Sequence, residues 1–472
     1  STTTDDDGST TKYGYDAMGR DALVDYPDED AVVNWTSTVS SFAPVGTAEY
    51  GLEGGHWKQT VSTGNARQVI YFDAFWRPVV QEQYDAANIS ETLSQTVKRY
   101  DLGGQLAFQS YPLRGLTHYA SVNQGAHTFY DALARVTRVE QDSEIGGRLV
   151  TKTDYLPNFQ TQITSPRNEV TTTTFMAYDQ PTTDWPVAIA HPEGAYTDLV
   201  RDAFGKPLQV RRHNADNTVA LARQYVYDGY QRLCKTIEPE TGATVTAYDA
   251  AGNLDWSASG LSLTDSASCN QTEAYKSLSR VQRSYDKMNR LNGLAFPRGD
   301  GPDNQEGNGN QSWSYWPDGL VRQIDTVNMV DGAPVTVSNA YSYNKRRLLT
   351  GESLTQSDSE VWAFGYGYDV YGHLASHTFP SGLSVAYAPN ALGQPTRAGA
   401  YATDVRYFPN GGMAQFNYGN GVTHTMTQNA RGLPERSRDV SASVIAIDDE
   451  PISGRDPVAV HPPSEHLGAP GK

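Results

Sequence analysis

The residues of this sequence that could do chemistry are a pair of histidines and many carboxylates. His373 and His377 have the four-residue spacing of a helical zinc site, but the glutamate of that motif is missing and a turn in strand context precedes them. On a strand, residues four apart lie about 13 Å from each other, too far to share an ion. The sequence therefore predicts a structural role for both histidines and no metal site.

Carboxylates are abundant, with 54 Asp and Glu, and a glycosidase needs only two of them at a suitable separation. Nothing in the sequence selects such a pair. A nucleophile elbow, a phosphate loop and a dinucleotide-binding glycine motif are also missing from the sequence. We therefore predict no catalytic residue and no cofactor, and a scaffold protein rather than an enzyme.

Cys234 and Cys269 are the two cysteines of the chain. A disulfide between them would close a loop of about 35 residues and would contribute about 3.8 kcal/mol in the chain-entropy model. A disulfide is favoured over free thiols because the rest of the composition is typical of secreted proteins. Free thiols remain the alternative.

A Tyr-Asp pair followed by Gly or Asn and then by a basic or apolar residue recurs along the chain. The clearest copies are Tyr15-Asp16 with Gly19, Tyr227-Asp228, Tyr248-Asp249 with Gly252, Tyr285-Asp286, and Tyr368-Asp369 with Gly372. Degenerate copies include those at Phe72, Tyr100, Tyr130, Tyr178, Tyr315, Tyr343, Tyr387 and Tyr407. Spacings of about twenty residues are typical of repeat arrays. A catalytic residue is needed once, so these recurring aspartates are predicted to be structural.

Each copy has the pattern of a strand, a turn and a second strand. In residues 243–257, β-branched and aromatic residues alternate with small ones on both sides of Asp249. The aspartate can accept hydrogen bonds from amides that follow it, and Gly252 can adopt positive φ without a Cβ clash. We expect the tyrosines of neighbouring hairpins to lie on one face, with their rings close enough to pack across strands.

The composition favours one long sheet over several compact domains. Only 38% of the residues are hydrophobic, too few for a thick core. At about eleven residues per strand and turn, the repeats would supply about 40 strands and a strip about 190 Å wide. Open sheets of that width curl as strand twist accumulates. We predict an all-β fold, a long spiralling antiparallel β-strip of repeat hairpins that forms a hollow shell or part of one.

Residues 1–438 are assigned to this β-shell and residues 439–472 to a Pro-rich, linker-like tail, in which 444–447 could add one short edge strand. Within the shell, residues 35–57 break the repeat and are either a degenerate hairpin or a plug-like loop. Residues 298–311 form an acidic loop, for which solvation is favoured over calcium binding. Lys345, Arg346 and Arg347 are the densest basic run and are interpreted as a solvated turn flank.

Charge and hydropathy exclude several partners. The net charge of −17 and the pI near 5.0 argue against nucleic-acid binding by the shell. The sequence contains no run of 18 apolar residues, so no transmembrane segment is predicted. The polar start without a Met or a signal sequence is typical of a processed or excised chain. The predicted location is secreted, extracellular or at a cell surface.

The repeats resemble the YD-repeat, or rearrangement-hotspot (Rhs), family, which includes the shell subunits of bacterial Tc toxins, contact-dependent toxins of bacterial competition, and the animal teneurins. The resemblance extends to about Leu433. It implies a hollow shell around a toxic effector segment or, in the animal members, support of adhesion. The family's core-associated box is not found; Arg455-Asp456-Pro457 is only a faint echo of it. Self-cleavage is therefore not expected.

Two functions follow as expectations. The first is a non-enzymatic structural shell that encapsulates or carries a toxic effector for secretion and delivery. Its partners would be the enclosed polypeptide or a further shell segment, together with delivery machinery. The alternative is a secreted or cell-surface adhesion or carbohydrate-binding protein, in which some of the eight Trp and 29 Tyr, such as Trp313 and Trp316, would stack on glycans.

Overall fold

The structure is a computed structural model that describes residues 1–6, 8–27, 30, 33–177, 183–296, 308–331, 333–357, 359–441 and 444–448. The repeat copy at Tyr178, most of the acidic loop 298–311 and most of the tail 439–472 lie outside the described residues. The described part is almost entirely β-structure, and the predicted all-β fold is confirmed.

Thirty strands form one sheet. They are β1 (Thr2–Thr4), β2 (Thr10–Tyr15), β3 (Asp21–Asp25), β4 (Thr38–Pro44), β5 (Trp57–Thr63), β6 (Ala66–Phe72), β7 (Pro78–Asp85), β8 (Ser94–Tyr100), β9 (Leu106–Ser110), β10 (Gly125–Tyr130), β11 (Val136–Asp142), β12 (Arg148–Leu156), β13 (Gln160–Thr164), β14 (Val170–Phe175), β15 (Pro186–Ala190), β16 (Ala195–Arg201), β17 (Pro207–Asn214), β18 (Ala220–Tyr227), β19 (Leu233–Glu238), β20 (Gly242–Tyr248), β21 (Leu254–Leu261), β22 (Arg280–Tyr285), β23 (Leu291–Ala295), β24 (Asn310–Tyr315), β25 (Val321–Val330), β26 (Ala333–Tyr343), β27 (Leu349–Thr355), β28 (Val361–Tyr368), β29 (Leu374–Thr378) and β30 (Ser384–Ala386).

Five further strands form a second sheet that follows the first along the chain. They are β31 (Ala402–Tyr407), β32 (Met413–Tyr418), β33 (Val422–Gln428), β34 (Pro434–Ser441) and β35 (Val444–Asp448). The helices of the described part are short: α1 (Ile89–Thr92), α2 (Gln271–Ala274) and two 3-10 turns, Tyr119–Ser121 and Pro192–Gly194. Strand β35 lies inside the segment that the sequence assigns to the tail.

Within each of the two sheets, every strand pairs antiparallel with the next one along the chain, so each sheet is a continuous meander. In a meander, alternate connections lie on the same edge. The Tyr-Asp turns follow even-numbered strands up to β30, and then follow β31 and β33, so they share one edge, which we call the repeat edge. The intervening connections form the opposite edge.

The repeat turns have a common local structure. In the turn Asp228–Arg232, Asp228 Oδ1 accepts hydrogen bonds from the amides of Tyr230 and Arg232, both at 2.9 Å. The strand register shifts by one residue at Tyr227, which is the bulge that follows a type I turn closed by a left-handed residue. The left-handed position is occupied by Gly252 (φ 87°) and Gly372 (φ 91°) in two other copies. Local hydrogen bonding therefore determines where each hairpin turns.

Tyrosines link each repeat turn to the one before it. The Tyr248 hydroxyl donates to the Leu233 carbonyl oxygen at 2.8 Å, and the Arg232 guanidinium lies 4.6 Å from the centre of the Tyr248 ring. Nine tyrosines of the described residues make the same hydroxyl-to-carbonyl bond at 2.5 to 3.1 Å: Tyr100, Tyr130, Tyr155, Tyr227, Tyr248, Tyr285, Tyr315, Tyr368 and Tyr407. We expected these rings to pack on one another. Instead, an arginine or lysine side chain lies over the ring of several of them, namely Tyr100, Tyr155, Tyr227 and Tyr315.

Two patches of the strip have a true core because loops cover one face. Loops 45–56 and 111–124 cover β6 to β9, and Leu52 and Leu116 pack there against Val80, Val97 and Phe108. This is how residues 35–57 depart from the repeat: they contain strand β4 and a covering loop. The second patch lies under loop 262–279, where Trp256 packs against Ala274.

The second patch also contains the cysteine pair. Cys234 and Cys269 form a disulfide with their Cα atoms 5.5 Å apart. Beside them the buried ammonium of Lys235 donates to the Asp265 carbonyl oxygen and to Asn270 Oδ1, and burial lowers the pKa of Lys235 below its usual value. The disulfide and the lysine hold this loop on the sheet from two adjacent positions of one strand, β19.

Candidate functional site

The strip meets itself, and this contact is the candidate functional site. Turns on the repeat edge between residues 345 and 431 touch the opposite edge of the strip between residues 26 and 144. Four of the hydrogen bonds join residues 287 to 315 positions apart: Lys345 to Asp30, Ala391 to Asp85, Arg114 to Tyr407, and Arg431 to Glu144. The partner numbers increase together along both edges. The late strands therefore lie beside the early ones in the same order, as in a second circuit of a spiral. We call this contact the seam.

The seam determines the size of one circuit. The partners Asp85 and Ala391 are separated along the strip by strands β8 to β30, which are 23 strands. At about 4.8 Å per strand, the circuit has a circumference of about 110 Å, and a circular cross-section of that length has a diameter of about 35 Å. A wall one sheet thick is about 10 Å deep, so open space remains along the axis.

Two arginines of the second circuit make side-chain contacts across the seam. The Arg346 guanidinium lies 3.7 Å from the centre of the Tyr26 ring and 5.2 Å from that of Trp35. Arg431 Nη2 donates to both carboxylate oxygens of Glu144, at 2.9 and 3.0 Å. The interpretation of the 345–347 run as a solvated turn flank is thus wrong for Arg346, because its charge is placed over two aromatic rings of the first circuit.

Backbone and apolar contacts form the rest of the seam. The amide of Ala391, a buried residue, donates to Asp85 Oδ2 at 2.9 Å, and the Thr36 amide donates to the Val370 carbonyl oxygen at 2.9 Å. The Tyr371 ring lies so close to Gly64 that a Cβ on Gly64 would stand 2.0 Å from the ring. Gly64 also has φ of 55°, so both space and conformation require glycine there.

A cavity of about 470 Å³ lies within the seam, between α1 of the first circuit and the segment 390–407 of the second. Its lining is mostly polar and includes Thr92, Asn390 and Asp404. Glu91 and Arg406 face each other across it at 3.9 Å. The seam is therefore a polar contact with open space in it, unlike the apolar patch under loops 45–56 and 111–124.

Electrostatics at the repeat turns stabilise the charged form of their aspartates. The Arg135 side chain donates to Asp131, and this bond together with the Arg135 amide lowers the pKa of that carboxyl. The amide and guanidinium of Arg290 do the same for the pKa of Asp286. The hydrogen-bond donors of these carboxylates come from their own turn, so their role is to hold the turn together.

The buried carboxylate of Glu82 also has hydrogen-bond donors among its neighbours. It accepts from the Tyr71 hydroxyl at 3.1 Å and from Gln95 Nε2 at 2.6 Å. Burial, followed by the charge of Glu82, raises the pKa of Tyr71 above its usual value. A carboxylate held by a tyrosine and an amide under a covering loop stabilises that loop.

The two histidines do not form a pair. His377 lies on strand β29 and stacks on Tyr366 at 4.9 Å, while the His373 ring belongs to the preceding turn and approaches Asp369 Oδ2 at 3.3 Å. Within the ranges that the structure describes, no group of three His, Cys, Asp or Glu is arranged to hold a metal ion. No helix in those ranges is long and apolar enough to cross a membrane.

The predicted repeat residues lie in equivalent turns rather than in one site. Tyr15, Asp16 and Gly19 occupy the turn after β2, and the remaining copies occupy later turns of the same edge: Tyr227 and Asp228, Tyr248 with Asp249 and Gly252, Tyr285 and Asp286, and Tyr368 with Asp369 and Gly372. The sequence did not reveal the acidic acceptors Asp30, Asp85 and Glu144. Their only signal is that they lie in connections of the opposite edge.

These features define a class of protein, an antiparallel β-strip wound past one full circuit. No family model matches the chain, and no curated protein sequence matches it. Solved structures similar to it include the crystal structure of TcdB2-TccC3, with a TM-score of 0.36 and 13% identity over 92% of this chain and 27% of that chain. The crystal structure of TcdB2-TccC3-Cdc42 gives 0.39 and 12% over 94% and 28%, and the Photorhabdus luminescens Tc holotoxin pore gives 0.35 and 13% over 92% and 26%.

The chain thus spans about a quarter of the length of these chains. All three are structures of Tc toxins, and Tc toxins are one of the groups that the YD repeats resemble. The similarity to these structures is one of fold.

Proposed function

We propose that this chain is a non-enzymatic wall segment of a hollow shell, which encloses an effector polypeptide for secretion and delivery. The seam is the observation that carries this proposal. A strip that contacts itself after 23 strands surrounds a space, whereas a flat strip of the same hairpins would not. The repeat aspartates, which hold their own turns together, give the chain a structural rather than a chemical role.

The wall suits a container because most of it is one layer thick and polar. In strands β12 to β17, Thr197 is the single buried residue, so side chains on both faces are at least partly accessible. Such a lining offers hydroxyls and amides to a polypeptide without a large apolar surface that would trap it. The disulfide at Cys234 favours an oxidising compartment, as expected of a secreted shell.

Protease protection tests enclosure in the native assembly. We expect mass spectrometry to detect a second polypeptide segment that resists protease while the wall is intact. Opening the seam with Arg431→Glu and Tyr371→Asp should make this segment degradable. The matched control is Lys276→Glu, which reverses an exposed charge outside the seam and should preserve protection. An assembly without any enclosed segment, or with a centre filled by its own side chains in electron microscopy, would contradict the proposal.

Carbohydrate binding remains the second candidate, with different residues from those first considered. Trp313 and Trp316 are half-buried, and Trp316 Nε1 donates to the Tyr341 carbonyl oxygen at 3.2 Å. Trp76 and Trp362 are the exposed tryptophans, and Trp76 packs on Trp57 at 5.1 Å, which holds its ring in place. Glycan-array binding that is lost in Trp76→Ala would support this candidate, and binding that is unchanged in that variant would contradict it.

A further inference from the structure

One position of the repeat turn makes several of the side-chain contacts of the seam. It is the second residue after the turn's Asp or Asn, which we call the tip position. Three tip residues of the second circuit, Arg346, Tyr371 and Arg431, contact Tyr26, Gly64 and Glu144 of the first circuit respectively. All three are at least partly buried by the contact.

The tip position is exposed and apolar where no other circuit covers the repeat edge. Six such residues lie between β2 and β23, each 62 to 82% exposed: Met18, Phe75, Leu133, Phe204, Tyr230 and Met288. In the turns that carry them the amide of the tip residue donates to the Asp side chain, as it does to an Asp or Asn side chain in the seam turns. The same surface is therefore buried in one part of the strip and is a row of exposed apolar side chains in another.

We propose that this exposed repeat edge, from β2 to β23, binds the opposite edge of a second copy of this chain. The contact would continue the seam, because the seam already joins a repeat edge to an opposite edge. The opposite edge also has exposed apolar side chains outside the seam, at Val219, Leu278, Leu383 and Tyr401. Two apolar rows on complementary edges match each other better than either matches a strongly charged partner.

The contact joins two different surfaces, so it is heterologous and does not close after two copies. A copy bound through its repeat edge still has a free opposite edge, and the copies continue the wall along its axis. This inference concerns how walls join and does not depend on what the wall encloses.

Sedimentation velocity and light scattering of the intact chain over a range of concentrations test the proposal. The wild-type chain should form dimers and longer species. The variant Leu133→Asp, Phe204→Asp and Tyr230→Asp should weaken association at least about tenfold. The matched control replaces three apolar residues that are exposed on strands rather than at turn tips, Val39→Asp, Ile163→Asp and Val200→Asp, and should associate like the wild type. Circular dichroism verifies that each variant is folded.

Mixing two edge variants distinguishes this contact from others. A second variant, Val219→Asp with Leu278→Asp, should also fail to associate alone. Each variant keeps one intact edge, so an equimolar mixture should give dimers and no longer species. A wild-type chain that stays monomeric, a control variant that loses association equally, or an edge variant that associates normally would each overturn the proposal. If the chain binds a different β-strip protein but does not associate with itself, the proposal is also overturned.

Discussion

The patch under loops 45–56 and 111–124 and the stretch from β12 to β17 are built from the same hairpins but are stabilised in different ways. In the patch, Val80 and Val97 are fully buried between the sheet and its covering loops. In the stretch, both faces are partly exposed, and threonines predominate in β14. Apolar burial stabilises the patch by about 25 cal/mol per Å². The stretch depends on its backbone hydrogen bonds and on contacts between neighbouring turns.

This difference shows that the repeat does not need a core. The turn hydrogen bonds of Asp131, the cation of Arg135 and the next tyrosine, Tyr155, recur whether or not a loop covers the sheet. Covering loops lie over β6 to β9 and over the strands beside the disulfide. We therefore expect the stability of the chain to vary strongly along its length.

The largest expected effect comes from a cavity in the covered patch. Phe108→Ala should lower the free energy of unfolding by about 3–5 kcal/mol, because Phe108 is 2% exposed and its ring lies under the Arg99 guanidinium at 3.8 Å. Phe129→Ala is the matched change at an exposed position of β10, where Phe129 is 37% exposed, and should cost less than about 1 kcal/mol. Urea unfolding measures both. Equal losses would remove the distinction between the two regions.

Removal of the disulfide should have the next largest effect. Cys234→Ser with Cys269→Ser should lower the free energy of unfolding by about 2–4 kcal/mol, since the bond closes a loop of 35 residues. Hydrogen exchange should become faster in loop 262–279 and strands β19 to β21 and should stay unchanged in β6 to β9. Faster exchange in both patches would show that the two cores unfold as one unit, contrary to our expectation.

A repeat-turn substitution should have a smaller and more local effect. Arg232→Ala removes the ion pair with Asp228 at 2.8 Å and the cation over Tyr248. We expect a loss of about 1 kcal/mol, the sum of a surface ion pair and an exposed cation–π contact. Hydrogen exchange of β18 to β21 measures it. Arg322→Ala, whose side chain lies over Trp316, is the control outside this repeat contact.

The smallest effect is on pH dependence. The lowered pKa values of Asp131 and Asp286 mean that the folded chain binds fewer protons there than the unfolded chain. Their stabilisation is complete above the unfolded pKa of about 3.9 and is lost as the pH falls through the lower folded values. Acid should therefore weaken the region β10 to β13 and the turn 286–290.

Hydrogen exchange at pH 7 and at a pH below about 3.9 measures this effect. Asp131→Asn should reduce the acid sensitivity of β10 to β13, and salt should reduce it in the wild-type chain because these carboxylates are partly exposed. The opposite trend, greater protection in acid, would contradict the assignment.

The sequence predicts the hairpins well because their turns are local. Asp228 bonds to amides two and four residues on, and Gly252 supplies its own positive φ, so neither needs a distant partner. The all-β strip follows from counting such turns. The described part has 35 strands rather than about 40, because the connections 45–56, 111–124, 262–279 and 387–401 are longer than a turn.

The seam could not be predicted from the sequence. Its position depends on the twist accumulated over 23 strands and on the length of every inserted loop, so a small error per strand moves each contact by many residues. Glu144 and Arg431 carry no local sign that they pair. The tip position was visible as a variable residue within the repeat, but only the structure separates Arg346 and Tyr371 from Met18 and Phe75.

The tyrosine hydroxyl bonds have a direction, and this direction has a consequence for how the chain is made. Tyr248 bonds back to the carbonyl of Leu233, and Tyr285 bonds back to that of Leu254, so each hairpin receives its final contact from the one synthesised after it. Nearest-neighbour coupling of this kind lets structure propagate from the amino end during translation. The ribosome would then release the wall one hairpin at a time, with only the newest hairpin incomplete.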